Sequence, residues 1–273
     1  MLCDFHMHSS FSEDSDTPME AMVLQSIRLG LQRICFTEHM DMDYPEQYGT
    51  FQVDLPSYYE EVKRLQKIHQ GRIEILFGIE LGMQPHLAEP YSSIIKQYPF
   101  DFIIASQHLL GGDDPYQPCF WKGRDEADTY RSYFEELLSN LKQMEDYDTL
   151  GHLDYVVRYG PNQNRDYSYE AFAESIDAIL TYLIEQGKYL EVNSAGLKYG
   201  LSHPNPEESV LRRYLELGGT NITIGADGHR PEHIAYDFPL LEKLLTGLGF
   251  TGYTIFRRRQ PVFVPFKSRS ITV

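Results

Sequence analysis

Short apolar runs alternate along the chain with longer stretches in which apolar residues recur every three or four positions. The short runs predict buried strands, and the longer stretches predict amphipathic helices. The predicted strands are residues 2–7, 34–37, 73–81, 100–106, 149–152, 189–193 and 221–226. A predicted helix follows each strand, at residues 18–29, 58–69, 87–97, 126–144, 169–186, 207–217 and 240–248. The pattern therefore indicates seven strand–helix units in succession.

This regular succession predicts an α/β fold built on a parallel sheet. We expect a single domain spanning residues 1–273, because no linker rich in Gly, Ser or Pro interrupts the pattern. A chain of this length can bury one sizeable hydrophobic core. No apolar run approaches the roughly 18 residues of a membrane-spanning helix, so no membrane partner is expected.

Charge and cysteine content narrow the possible functions. The formal net charge of −16 disfavours nonspecific binding to nucleic acid or to an anionic membrane. The basic run 257–259 is predicted to lie in a solvated turn. The chain begins without the pattern of a signal peptide, and Cys3, Cys35 and Cys119 are its only cysteines. Together these features predict a cytoplasmic protein with reduced thiols.

Chemically active side chains lie at the carboxyl end of each predicted strand. In a barrel of parallel strands these ends gather on one face, where active sites form. Six of the ten histidines fall there, so residues far apart in sequence should meet in one site. The side chains at the strand ends are His6, His8, Glu38, His39, Glu80, His108, His152, Glu191, Asn193, Asp227 and His229.

His6 and His8 lie two residues apart on a strand and therefore point to the same side, where two imidazoles can bind one cation. Asp14 follows them closely and adds a carboxylate. The candidate donors are His6, His8, Asp14, His39, Glu80, His108, His152, Asp227 and His229. One zinc ion takes only about four donors, so this set predicts two or three metals that share a bridging carboxylate. Glu80, on a central strand, is the candidate for that bridge, and the absence of cysteine donors favours a catalytic site.

In this order along the chain, the motifs DFHMHSSFSEDS, FTEH, GIE, SQH, GHLD and GADGH resemble those of the PHP (polymerase and histidinol phosphatase) superfamily. The resemblance covers nearly the whole chain. It implies a distorted seven-stranded, TIM-like (β/α) barrel and three divalent metal ions, and Zn, Mn and Fe all accept such donors. The implied ligand groups are His6, His8, Glu80 and Asp227; Glu80, His108 and His152; and Asp14, His39 and His229. Asp16 is an alternative to Asp14, and Asp4 and Glu38 are expected to orient histidines.

Within the superfamily, the chain looks most like histidinol-phosphate phosphatases in the segments GHLDYVVRYG, EVNSAGLKYG and RRRQPVFVPF. This likeness implies hydrolysis of a small phosphorylated substrate, L-histidinol phosphate, in histidine biosynthesis. The expected mechanism is in-line attack on phosphorus by a hydroxide that the metals activate. Arg158 and Lys198 are the candidate phosphate-binding residues. Asp227, His229 or a metal-bound water could protonate the leaving group.

Three other functions stay open. A PHP phosphoesterase could act on another small phosphomonoester or on a nucleotide. A metal-dependent amidohydrolase also begins with two histidines on a barrel strand, but it usually has fewer ligands. A catalytically silent module would have lost ligands, and all nine candidate donors are present here. The loop at residues 111–125, with Phe120 and Trp121, is predicted to be either a substrate lid or a plain surface loop.

Overall fold

The computed structural model describes residues 1–266, so the end of the predicted domain lies outside the described residues. Within that range the strands are β1 (Cys3–Asp4), β2 (Arg33–Phe36), β3 (His39–Met40), β4 (Glu74–Gly82), β5 (Phe102–Ser106), β6 (Thr149–Leu150), β7 (Tyr189–Asn193), β8 (Ile222–Gly225), β9 (Gly252–Arg257) and β10 (Gln260–Pro265). The α-helices are α1 (Met19–Arg28), α2 (Leu55–Ile68), α3 (Ala88–Ile95), α4 (Glu126–Gln143), α5 (Ala173–Glu185), α6 (Ala195–Lys198), α7 (Glu208–Glu216) and α8 (Phe238–Leu248).

Parallel strands form a nearly closed barrel in the hydrogen-bonded order β1–β2–β4–β5–β6–β7–β8. The first and last strands meet through backbone hydrogen bonds, in which Phe5 N–H donates to the Ile224 carbonyl at 3.1 Å and Asp227 N–H donates to the His6 carbonyl at 2.8 Å. The ring confirms the predicted distorted barrel of seven strand–helix units. The same closure brings the first motif, DFHMHSSFSEDS, next to the last motif, GADGH.

β2 and β3 act as one interrupted barrel strand, because both pair with β4. Phe36 pairs with Phe77, and after a break at residues 37–38 His39 pairs with Glu80. β4 is buried at every residue after the first, because one of its faces fills the barrel and the other lies under helices. After the break, the His39 imidazole lies beside the Glu80 carboxylate.

A hairpin of β9 and β10 was not among the predicted elements. The basic run 257–259 lies at its turn, and Arg257 and Arg258 are exposed, as predicted. Arg259 is partly buried, and both Arg257 and Arg259 are paired with carboxylates. Arg257 donates two hydrogen bonds of 2.6 Å to Glu74. Arg259 Nε lies 2.8 Å from both carboxylate oxygens of Asp148. Because Asp148 is buried, it needs such a partner, and the contacts hold the hairpin against the barrel.

No helix within residues 1–266 combines the length and the apolar character needed to cross a membrane.

Candidate metal centre and active site

Glu80 lies at the centre of the candidate site and is fully buried. Its Oε2 atom lies 3.1 Å from His6 Nε2, 3.3 Å from His8 Nε2 and 3.2 Å from His39 Nδ1. His6 and His8 lie in the segment that follows β1, and His39 lies on β3. Pairing of β3 with β4 sets His39 beside Glu80, and barrel closure brings the first strand toward them.

The second oxygen of Glu80 faces a different set of groups. Oε1 lies 3.2 Å from His108 Nε2 and 3.0 Å from His152 Nε2, and it accepts a hydrogen bond of 2.6 Å from the Ser106 hydroxyl. His108 follows β5 and His152 follows β6, the next two strands of the barrel. One carboxylate therefore separates two groups of imidazoles, which is the arrangement of a bridging ligand.

Asp227 completes the group that contains His6 and His8. Its Oδ1 atom lies 3.8 Å from His6 Nε2 and 3.6 Å from His8 Nε2. The residue follows β8 and has φ of 51°, in the left-handed region that non-glycine residues seldom adopt. Such conformations cluster at functional sites, where the surrounding structure holds them. Here the strained backbone directs the carboxylate into the barrel mouth.

Asp14 lies beside the remaining histidines, whereas Asp16 does not. Asp14 Oδ2 is 3.0 Å from His229 Nε2 and 3.7 Å from His39 Nε2. The rings of His39 and His229 flank the His8 ring, with centroid separations of 4.1 and 4.2 Å. Asp16 is exposed and makes no ion pair within residues 1–266. The structure therefore favours Asp14 between the two alternatives.

The residues present fit bound metal ions. His6 Nε2, His8 Nε2, His39 Nδ1 and Glu80 Oε2 are buried, yet they have no hydrogen-bond partner among the described residues. Buried polar atoms normally have a partner. A divalent cation coordinated by imidazole nitrogen and carboxylate oxygen supplies that partner. Several sets of three donor atoms, His6–His8–Glu80 among them, lie within 4.8 Å of one another.

Glu80 and the imidazoles around it shift one another's pKa values. Burial raises the pKa of Glu80, but the imidazoles of His6, His108 and His39 outweigh it and hold the pKa well below its ordinary value. Burial, with two neighbouring imidazoles, holds the pKa of His8 well below its ordinary value. Burial lowers the pKa values of His6, His39 and His108, but the neighbouring carboxylates outweigh it and hold these pKa values above the ordinary value. A cation that binds these imidazoles must therefore displace protons from them.

Two carboxylates orient the histidines, and the sequence analysis assigned neither of them that role. Asp41 Oδ1 lies 2.6 Å from His108 Nδ1. Glu191 Oε1 lies 2.6 Å from His6 Nδ1. Such partners fix the ring and tautomer of a ligating histidine. Strand alternation could have pointed to Asp41, because it follows His39 by two residues.

Glu38 acts on a histidine only through a serine. Its carboxylate accepts hydrogen bonds of 2.5 Å from the Ser9 hydroxyl and 2.6 Å from the Ser12 hydroxyl. The Ser12 hydroxyl in turn lies 3.1 Å from His8 Nδ1. The expectation that Glu38 helps to orient a histidine therefore holds by an indirect route.

Asp4 does not orient an imidazole, contrary to expectation. Its carboxylate accepts backbone N–H hydrogen bonds from Ala226 at 3.0 Å, Ala235 at 2.8 Å and His6 at 3.3 Å. Burial raises the pKa of Asp4 to about 6. The contacts join the first strand to the segment after β8, so Asp4 stabilises the closure of the barrel rather than a side chain of the site.

Asp41→Asn is expected to lower metal affinity by about 10- to 100-fold, because His108 loses the carboxylate that orients it. Metal content after dialysis against graded chelator measures this effect. Asp43→Asn is the matched control, since Asp43 pairs with the exposed His86, away from the cluster. Equal metal retention in the two variants would contradict the orienting role of Asp41.

Arg158 is buried and holds Asp227. Its Nη1 donates to Asp227 Oδ2 at 2.8 Å, and its Nε donates to Asn205 Oδ1 at 2.8 Å. Nη2 is buried and has no partner among the described residues. With Nη1 and Nε already engaged, Nη2 is the nitrogen left to contact an anion. Lys198 Nζ donates to the Asp227 carbonyl at 2.9 Å, and burial lowers its pKa.

A cavity of about 570 Å³ opens above the cluster, which is a usual size for a small-molecule site. Arg158, Lys198 and several candidate metal ligands line it. The loop at 111–125 contributes to its wall through Asp114, Tyr116 and Gln117. Phe120 and Trp121 are buried beneath this wall, and Trp121 Nε1 donates to the Pro115 carbonyl at 2.8 Å. The loop therefore lines the cavity without placing its tryptophan there.

Three comparisons relate the chain to known proteins. The PHP domain family model matches residues 4–195. The chain is 34% identical over 230 residues to histidinol-phosphatase from Lactococcus lactis, covering 83% of each protein. It is 31% identical over 238 residues to probable histidinol-phosphatase from Clostridium acetobutylicum, covering 87% of this chain and 90% of that protein.

Two solved structures share the fold. One is histidinol phosphate phosphatase from Lactococcus lactis, complexed with Zn, L-histidinol and phosphate. It superposes with a TM-score of 0.89 at 31% identity, covering 95% of this chain and 98% of the other. A putative histidinol phosphatase from Listeria monocytogenes superposes with a TM-score of 0.74 at 19% identity, which supports the fold alone. With the family match over more than half its length, the chain belongs to the PHP domain family.

Proposed function

We propose that the protein is a metal-dependent phosphomonoesterase that hydrolyses L-histidinol phosphate to L-histidinol and phosphate in histidine biosynthesis. The observation that carries the proposal is the complete donor set around Glu80 in a chain whose fold matches an enzyme holding Zn, L-histidinol and phosphate. The proposal implies a small phosphorylated substrate as the partner and a cytoplasmic location.

The proposal includes three divalent metal ions, of which Glu80 bridges two. Support comes from its two oxygens, which face separate groups of imidazoles, and from the third group around Asp14. The proposed ligands are His6, His8, Asp14, His39, Glu80, His108, His152, Asp227 and His229. When bound, such ions lower the pKa of water and polarise phosphoryl oxygens.

The protein's own cations would hold the phosphoryl group. Arg158 lines the cavity, and its Nη2 has no partner among the described residues. Lys198 Nζ lies nearby and donates to the backbone carbonyl of Asp227. Both groups neutralise charge that builds on the phosphoryl oxygens. Burial raises the pKa of Asp227, but His6, Arg158 and other nearby cationic groups outweigh it and hold that pKa well below its ordinary value. Asp227 therefore stays ionised and is a poor proton donor.

Wild-type protein loaded with Mn or Zn is expected to release phosphate from L-histidinol phosphate much faster than from nucleotides or sugar phosphates. Phosphate release measured with and without chelator tests the proposal, and chelator should abolish the activity. Protein shown to contain metal that releases no phosphate from L-histidinol phosphate would overturn the substrate assignment, while activity on another monoester would redirect it.

Asp14→Asn is expected to weaken metal binding by the proposed group of Asp14, His39 and His229 about tenfold or more, because an amide is a poorer ligand than a carboxylate for a divalent cation. Metal per chain, measured by mass spectrometry after dialysis, should fall in this variant alone. Asp16→Asn makes the same change at the neighbouring exposed position and serves as the control. Loss of metal in Asp16→Asn but not in Asp14→Asn would reverse the assignment.

A further inference from the structure

Asp114 is a buried carboxylate in the cavity wall, with only 3% of its surface exposed. Its Oδ2 accepts a hydrogen bond of 2.5 Å from the Tyr44 hydroxyl and one of 3.4 Å from Gln117 Nε2. Its Oδ1 accepts a hydrogen bond of 2.8 Å from the Tyr116 backbone N–H. None of these donors carries a positive charge.

This lack of a cationic partner distinguishes Asp114 from the other buried carboxylates of the cavity wall. Asp41 lies beside the His108 imidazole, and Asp227 is paired with the Arg158 guanidinium. Within residues 1–266, Asp114 pairs with no lysine, arginine or histidine. Buried carboxylates are rarely left without a positive counterpart. A carboxylate oxygen has room for more than one donor, so Asp114 can accept a further hydrogen bond from a molecule in the cavity.

Aromatic side chains surround the same space. Those that line the cavity are Tyr44, Tyr48, Phe51, Tyr116, Tyr155, Tyr159 and Tyr199. Aromatic faces attract cations and also pack against flat heteroaromatic rings. This part of the wall therefore suits a positively charged or ring-bearing group, whereas Arg158, Lys198 and the metal-ligand cluster suit the phosphate.

We propose that Asp114 determines substrate specificity by accepting a hydrogen bond from a positively charged N–H group on the alcohol part of the phosphate ester. The inference rests on the proposed function, because L-histidinol phosphate carries both an ammonium group and an imidazole in that part. Asp114 discriminates between phosphate esters by their alcohol part, and it takes no part in the chemistry at phosphorus.

The test is the ratio of kcat/KM for L-histidinol phosphate to kcat/KM for p-nitrophenyl phosphate, an ester without a cationic group. We expect Asp114→Asn to lower this ratio by about 30-fold, the usual strength of a hydrogen bond between charged partners. The amide keeps the size of the side chain and an oxygen for the Tyr116 N–H. Ethanolamine phosphate, which has the ammonium group but no ring, shows which nitrogen Asp114 contacts.

Product inhibition gives a second readout that does not depend on turnover of the cationic substrate. Asp114→Asn should raise the inhibition constant of L-histidinol by about 30-fold and leave that of inorganic phosphate unchanged within about threefold. Asp113→Asn is the matched control, since the neighbouring Asp113 is exposed and pairs with Arg124 on the surface.

Tyr44→Phe separates recognition from loop structure, because it removes the hydroxyl that donates to Asp114 and leaves the carboxylate. We expect it to keep the discrimination ratio within about threefold, since a neutral hydrogen bond contributes little. An equal loss in Tyr44→Phe and Asp114→Asn would overturn the proposal and assign Asp114 to holding the loop. An unchanged ratio in Asp114→Asn would also overturn it.

Activity of the wild-type protein on L-histidinol phosphate tests the proposed function separately from the role of Asp114. If the wild-type protein does not hydrolyse L-histidinol phosphate, the substrate assignment fails. Ethanolamine phosphate then replaces L-histidinol phosphate in the kcat/KM ratio. A ratio that still falls in Asp114→Asn supports recognition of a cation by Asp114, and one that does not fall overturns it.

Discussion

Glu80→Gln is expected to lower kcat/KM by about 10³-fold or more, the largest effect of any single substitution considered. Glu80 Oε2 and Oε1 face separate groups of histidines at 3.0–3.3 Å, so one carboxylate serves both. A neutral amide offers only one oxygen, and its NH₂ group cannot bind a cation. If Glu80 bridges two metals as proposed, this single change weakens both positions while keeping the side-chain volume.

Metal content and steady-state rates measured on the same sample check this expectation. The variant should hold fewer metal ions per chain than the wild type and should not regain activity at saturating substrate. Glu89→Gln makes the same change on the exposed first turn of α3 and serves as the control. Wild-type metal content together with activity within tenfold of the wild type would contradict the bridging role.

Arg158→Met is expected to lower kcat/KM for L-histidinol phosphate by about 100-fold, because a charge-assisted hydrogen bond to the phosphate is lost and Asp227 loses its partner. Methionine fills much of the buried volume without a donor. The two losses are separable, since inorganic phosphate should inhibit the variant more weakly if Arg158 Nη2 binds the anion. A change in metal content with unchanged inhibition by inorganic phosphate would instead indicate that Arg158 only positions Asp227.

Two further variants sharpen this result. Arg158→Lys keeps the charge, but an ammonium cannot reach Asn205 and Asp227 with the planar fork that the guanidinium uses. We therefore expect Arg158→Lys to recover only part of the activity. Arg165→Met is the control, because Arg165 is exposed and pairs with Asp166 at the surface. Full activity in Arg158→Met would refute phosphate binding by this residue.

Much of the barrel could be predicted because each of its strands and helices has a recognisable pattern of apolar residues in consecutive positions. A buried parallel strand needs a short apolar run, and an amphipathic helix needs its own spacing, so each unit is written in consecutive residues. The hairpin of β9 and β10 escaped prediction although its strands are adjacent in the chain, because Arg258 and Arg259 form its turn in place of the Asn, Asp or Gly that usually marks such a turn. Arg257 and Arg259 are held by Glu74 and Asp148, which lie far away in the chain.

The candidate donor set was also readable from the sequence, since parallel strands present their carboxyl ends on one face. Motif spacing alone favoured Asp14 over Asp16, and its contact with His229 supports the same choice. The division of the donors among three metals remains a prediction that the resemblance supplied. The sequence determined which residue types meet at the barrel mouth and, by strand order, roughly where.

Only the tertiary structure decided which partner each polar atom takes. Arg158 faces Asp227 and Asn205, Asp41 lies against His108, and Asp114 has no cation beside it among the described residues. These contacts depend on loop paths and side-chain directions that cross the barrel. Periodicity along the chain carries no information about them, because it reports which face a residue lies on and not which atom lies opposite.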